Sequence, residues 1–316
     1  MINKISFDDW KNSMAFLIDD EFDNQFHHSI DELIKLMNTS SAIFSNPDSL
    51  SEFLSENEKG FSPVVRLSAF VSLIGLSEER LKRVVSLLRY KFLKEAFKTE
   101  WDLNRISRTI ISDKKFRGLL VDFFINGRNS DLGKSYPLYY LKNFRLTDPQ
   151  FVKDLSNYNY VERILVDNEV NGTYANAIGA HIETIIERKL DEYKAANKPD
   201  LTFDKQKEFS LLNKNIDFLI PGIDNPSILI ESSYNITTGS SQSKRADQLV
   251  SYYQTLMGHN ANHRKNKIIL INYCDGFGWV GRQNDLQRIY DASDYVLNNT
   301  NINDLFPILD SIYPAS

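Results

Sequence analysis

The sequence predicts an α/β protein: a mixed sheet flanked by helices in its second half, behind a mainly helical first half. Three observations carry that expectation. Up to about residue 150 apolar residues recur at helical spacing; beyond it the pattern runs helix, strand, strand, helix, strand, helix, an order that implies a sheet with helices packed on it. The nearly unbroken apolar run Lys267-Ile268-Ile269-Leu270-Ile271-Asn272-Tyr273 suits a central strand covered on both faces. At 316 residues, two units are expected: a mainly helical 1–150 and an α/β domain over 151–316.

Taken in order, the clearest early helix begins at Ser77. Its hydroxyl suits an N-cap, Glu78 and Glu79 complement the helix dipole, and Leu81, Val84, Val85, Leu88 and Phe92 form one apolar stripe. Lys82, Arg83 and Arg89 fall on the other face. With Gly75 before it, the segment 70–89 has the outline of a helix-turn-helix, but a glycine-broken pair in an ordinary helical domain is the stronger expectation. Asn126 to Pro137 is loop-like, and Tyr139 to Leu146 is expected to pack against something.

In the second half, Ile178, Ile182, Ile185, Ile186 and Leu190 mark an amphipathic helix from Ala175 to about Tyr193. Lys214 to Ile220 and Ser227 to Tyr234 read as antiparallel strands joined by the turn 221–226. A helix is expected around Tyr252 to Leu256. A turn over Asp275 to Trp279 follows the apolar strand, and a closing helix runs from Leu286 to Val296.

Composition narrows the function classes. The single Cys274 and five histidines exclude a disulfide framework and a cysteine-rich zinc site, and suggest a reducing, cytoplasmic setting. No apolar run approaches the roughly 18 residues that span a bilayer, so no membrane role is expected. The net charge of −5 argues against a protein that coats DNA, yet an enzyme with acidic metal ligands tolerates it if one cleft is locally positive.

The acids of the hairpin point to chemistry. Asp217 lies between Ile216 and Phe218, and Glu231 follows Ile228-Leu229-Ile230, so adjacent strands bring two carboxylates together. In a half-buried place they repel unless a proton or cation intervenes. Mg²⁺ favours one or two carboxylates plus waters and phosphate oxygens, and it can activate water for phosphodiester hydrolysis. Glu183, at the edge of the amphipathic stripe, is the third candidate ligand, and Gly179 one turn earlier could allow a close approach. Glu187 lies further along the same side.

Polar groups follow Glu231. Ser233 stands two residues on, where nucleases of this kind commonly carry Lys, so Lys244 or a second metal ion is expected to supply the missing charge. Lys244, Arg245, Arg264, Lys265 and Lys267 are candidate DNA contacts. His259 to His263 is too tightly spaced for a His-Asn-His nuclease and reads as a polar loop. The 239–244 stretch lacks both the first glycine and the strand-loop-helix context of a phosphate loop, so no nucleotide cofactor is expected.

Several stretches together resemble the DpnII/MboI-like type II restriction endonucleases of the PD-(D/E)XK superfamily. They are the helix with Gly179 and Glu183, the hairpin with Asp217 and Glu231, the run from Tyr234 through Gly239-Ser240 to Lys244, and Ile271 through Asp275-Gly276-Phe277-Gly278-Trp279. The resemblance implies a PD-(D/E)XK core, a divalent metal (Mg²⁺) and a homodimer cutting a short palindrome in double-stranded DNA to leave 5′-phosphate and 3′-hydroxyl ends. In this chain Ser233 replaces the family's Asn, and three residues separate Gly239-Ser240 from Lys244. A repair or transposition nuclease of the same fold, or a non-catalytic DNA-binding relative, are the alternatives.

Overall fold

A computed structural model describes residues 3–56, 61–137, 141, 146–169 and 174–313. The chain forms two compact units, Asp20–Gly172 and a second made of Met1–Asp19 with Thr173–Ser316. The boundary therefore falls at 172/173 rather than 150/151, and the first residues, with helix α1 (Phe7–Asn12), belong to the sheet unit. Their anchor is Trp10, fully buried, whose indole N–H donates to the Leu297 carbonyl at 3.2 Å.

The helical unit contains α2 (Asp20–Ser40), α3 (Pro47–Ser55), α4 (Pro63–Leu73), α5 (Glu78–Lys91), α6 (Leu103–Ser112), α7 (Lys114–Asn126), α8 (Pro149–Leu155) and α9 (Tyr158–Glu169). In its core Phe44, Phe70 and Phe124 meet edge to face among Leu, Ile and Val side chains. Helix α5 starts as the sequence predicts, with the Ser77 hydroxyl accepting from the Arg80 N–H and Leu81, Val84, Val85 and Leu88 buried. Its basic face is partly engaged within the unit. Arg83 pairs with Glu100, and the buried Arg89 lies about 4 Å from the rings of Phe97 and Trp101 while donating to Glu95. Most of the Tyr139 to Leu146 segment lies outside the described residues; Leu141 and Leu146 are buried.

In the sheet unit, α10 (Ala175–Asn197) precedes β1 (Asp204–Phe209), β2 (Lys214–Ile220) and β3 (Ile228–Tyr234). Then come α11 (Ser240–Asn262), β4 (Ile269–Asp275), α12 (Phe277–Val280), α13 (Gln283–Asp291), β5 (Tyr295–Leu297) and α14 (Leu305–Ile312). The strands form one sheet in the order β1-β2-β3-β4-β5, with β1/β2 and β2/β3 antiparallel and the remaining pairs parallel. Ile182, Ile186 and Leu190 of α10, with α14, pack on one face against Phe218, Ile220, Ile228 and Ile230. Leu249 and Leu256 of α11, with α1 and α13, cover Leu219, Leu229 and Leu270 on the other. Each such side chain contributes about 1.5–3 kcal/mol on leaving water, which is why β4 is apolar on both sides.

Several expectations need correction. Asp204-Lys205-Gln206-Lys207-Glu208-Phe209 forms the edge strand β1, although its charges give no strand signal; edge strands tolerate charge because one side faces solvent. The closing helix ends at Asp291, not Val296, and Tyr295–Leu297 pairs with β4 instead. Helix α11 is much longer than 252–256, so Lys244 and Arg245 ride on its second turn, and β3, loop and α11 do supply a strand-loop-helix context. His259 lies in the last turn of α11, not in a loop, its ring stacked on His263 at 4.2 Å.

Candidate active site

The antiparallel register pairs Phe218 with Ile230, so one step further Asp217 comes opposite Glu231. At that point the strands exchange side-chain bonds instead of ladder bonds. One Asp217 oxygen accepts from the Ser232 backbone N–H at 2.7 Å and from the Ser232 hydroxyl at 2.9 Å. Its other oxygen accepts from the Gln206 amide at 2.8 Å.

The same Gln206 nitrogen also donates to Glu183 at 3.1 Å, so a single amide links the acid of α10 to the acid of β2. Burial raises the Glu183 pKa and the charge of Asp217 raises it further, while the Gln206 bond opposes the shift. Glu187 is paired with Lys205 at 2.8 Å. Gly179 serves no close approach among the described residues, since a Cβ there would meet none of their atoms within 4 Å.

Alternation along β3 sends Glu231 toward α11, beside Leu229. Only 2 % exposed, its carboxylate accepts from Arg245 at 2.5 Å, and the same guanidinium nitrogen donates to the Ser232 carbonyl at 3.0 Å. The other Glu231 oxygen, Oε1, is buried with no donor among the described residues in full hydrogen-bond geometry, the Asp217 backbone N–H being its polar neighbour. Burial pushes the Glu231 pKa up to about 7 and the charge of Asp217 adds to the shift, while Arg245 and the Asp217 backbone N–H oppose it. Ser233, on the same side as Glu231, lines a cavity of about 350 Å³ together with Asn235, Ser241, Gln242, Lys244, Arg245 and Gln248. Lys244 is exposed there and has no ion-pair partner among the described residues.

The three predicted acids therefore separate into a Glu183–Gln206–Asp217 group and a Glu231–Arg245 pair beside it. Among the described residues no three His, Cys, Asp or Glu side chains are gathered as a ready metal cage. Asp217 and Glu231 still suit Mg²⁺, which needs only one or two carboxylates, and the incompletely hydrogen-bonded Glu231 oxygen is an acceptor of the right kind.

Against this geometry, a family model described as DpnII restriction endonuclease matches residues 150–307, half of the chain. The chain belongs to the DpnII restriction endonuclease family. It is thus a type II site-specific deoxyribonuclease whose substrate is double-stranded DNA. No curated protein and no solved structure matches it. No described helix is long and apolar enough to cross a membrane.

Within the endonuclease the Asp275-Gly276-Phe277-Gly278-Trp279 run shapes the site from below. A Cβ on Gly276, whose φ is +93°, would sit 2.3 Å from the Asn235 carbonyl oxygen, and one on Gly278 would sit 2.5 Å from that of Thr237. These glycines let the turn after β4 press on the loop after β3, where Gly278 N–H donates to Asn235 at 2.9 Å and the Trp279 indole N–H to the Ser233 carbonyl at 3.3 Å. Asp275, buried, accepts from Ala15 and Asn299 N–H groups at 2.9 Å, so it ties the segment after α1 and the loop after β5 to the end of β4 and takes no part in the acid cluster.

The remaining basic candidates divide. Arg245 is a partner of Glu231 more than a free DNA contact. Arg264, Lys265 and Lys267 are exposed beyond the far end of α11, about 30 Å from Lys244 at ~1.5 Å per helical residue. Gln206 and Ser232 were not legible as site residues: Gln206 gains its place only through the edge strand that its neighbours conceal, and Ser232 through the register of β2 on β3.

Proposed function

We propose that this endonuclease is a Mg²⁺-dependent enzyme of the PD-(D/E)XK superfamily, hydrolysing phosphodiester bonds at a short specific site in double-stranded DNA. The mixed sheet flanked by helices, with the acids on its antiparallel hairpin, supports that core. Products would carry 5′-phosphate and 3′-hydroxyl ends. The observation that carries the reading is the buried, incompletely hydrogen-bonded Glu231 Oε1, one register step from the last β2–β3 pair and opposite Asp217. Bound there, Mg²⁺ would supply an activated water and charge neutralisation at the phosphate.

Asp217 and Glu231 hold the cation in this reading, with Glu183 as auxiliary acid. Ser233 orients the attacking water by its hydroxyl but brings no charge. Arg245 supplies the fixed positive charge that a Lys at 233 would have given, since its guanidinium already reaches Glu231 and the Ser233 cavity. Lys244, exposed on the same cavity, contacts the backbone phosphate. A palindromic target is matched by a homodimer, one site per strand. The buried, unpaired Cys274 thiol suits the reducing cytoplasm, where the DNA is.

Incubation of a fully sequenced plasmid with purified protein and Mg²⁺, with and without adenine or cytosine methylation, tests the proposal. Discrete fragments with ligatable 5′-phosphate ends are expected, and Asp217→Ala should abolish them. Ser at 233 favours one rival, a binding protein without chemistry; it gains if the protein shifts duplexes in a gel and leaves them uncut.

A further inference from the structure

Gln206 combines two features that neither its strand nor its exposure requires. Its backbone is left-handed, φ +53°, in the middle of an edge strand whose neighbours Lys205 and Lys207 keep ordinary ladder pairing with Phe218 and Ile216. A glutamine rarely adopts that conformation, which costs energy unless something else holds it. Its side-chain nitrogen meanwhile donates to Asp217 at 2.8 Å and to Glu183 at 3.1 Å. An amide NH₂ has two hydrogens, one for each acid, and so relieves the repulsion between two carboxylates that a cation would otherwise have to offset.

From these observations, and resting on the metal-dependent reading above, we infer that Gln206 is a positioning residue whose amide occupies the place of a divalent cation between Glu183 and Asp217 and keeps the two acids gathered until metal arrives. The incompletely hydrogen-bonded Glu231 Oε1 beside Asp217 gives the arriving cation a second anchor that Gln206 does not occupy. On loading, the cation takes over the role of the two N–H groups. Glu183 and Asp217 remain together and the amide is released from both.

Two variants test this without cleavage of DNA. Gln206→Asn keeps an amide and a residue type that tolerates the left-handed backbone, but it is one methylene too short to reach both acids. Its melting temperature should fall below that of the parent in EDTA, and the gap should close at saturating Mn²⁺, when the cation holds the acids in both proteins. A gap that persists with Mn²⁺ would make the amide an ordinary structural strap and overturn the inference. Gln206→Glu puts a charge where the cation is inferred to sit, and calorimetric titration with Mn²⁺ should show binding tighter by on the order of tenfold. Unchanged affinity overturns the inference while leaving the nuclease reading intact, provided the parent binds Mn²⁺ and cuts. A parent that binds no Mn²⁺ overturns both.

Discussion

Replacing Arg245 with Met strips Glu231 of the one charge that compensates its burial. With 2 % of Glu231 exposed, an unpaired carboxylate there would cost about 3–5 kcal/mol, the range for breaking a buried ion pair. The protein can escape part of this by protonating Glu231, and the cost of doing so rises by ~1.4 kcal/mol for each pH unit above the side chain's ordinary value. Arg245 lowers the Glu231 pKa, so its loss drives the value above the present level of about 7. The sign follows: a carboxyl group whose folded pKa is raised stabilises the fold when protonated, and that contribution drains away as pH rises. Arg245→Met should therefore lose about 3 kcal/mol at pH 8.5 and clearly less at pH 6. Urea unfolding would measure it in a Trp101→Phe background, in which Trp10 and Trp279, both buried in the sheet unit, are the remaining reporters. Adding Glu231→Gln should restore most of the loss at pH 8.5, because the pair is then removed together. A single variant that loses less than about 1 kcal/mol, equally at both pH values, would refute the claim that this pair is electrostatically coupled.

The remaining predictions concern catalysis and its scaffold. In the proposed metal site, a Glu231 pKa raised to about 7 would set protons against the cation, so single-turnover cleavage should be full above pH 7.5 and drop by up to about tenfold per unit below pH 7. Gly278→Ala should cost about 1–3 kcal/mol in thermal unfolding and slow cleavage, because its Cβ would lie 2.5 Å from the Thr237 carbonyl oxygen, a backbone atom with little room to retreat. Alanine at Arg264, Lys265 and Lys267 together should leave the cutting rate at one saturated site within about threefold, whereas Lys244→Ala weakens DNA binding and reduces its salt slope by about one; filter binding at several salt concentrations separates them.

The hairpin and its helix could be read from sequence because their burial is written in period. Ile182, Ile185 and Ile186 repeat at helical spacing, and Ile228-Leu229-Ile230 is covered on both faces, so Asp217 and Glu231 could be set against each other by turn length alone. What stayed hidden depends on partners far along the chain. Nothing local in Asp204-Lys205-Gln206-Lys207 marks a strand, since β1 exists by pairing with β2. Tyr295-Val296-Leu297 continues a helical-looking stretch, and only the neighbouring β4 makes it a strand. Arg245 was legible as a basic residue, but its burial against Glu231 required knowing that α11 begins at Ser240 and so turns that side chain inward.

Trp10 and the strand that receives its indole hydrogen lie 287 positions apart in the sequence. On the ribosome, the helical unit emerges complete while the amino-terminal strip that precedes it still waits for Leu297. A nuclease that could cut before its chain was finished would endanger the cell that makes it. Here the sheet holding the acids gains β5 and the Trp10 lock only once the chain has been made as far as Leu297, and a chain stopped before β5 lacks both.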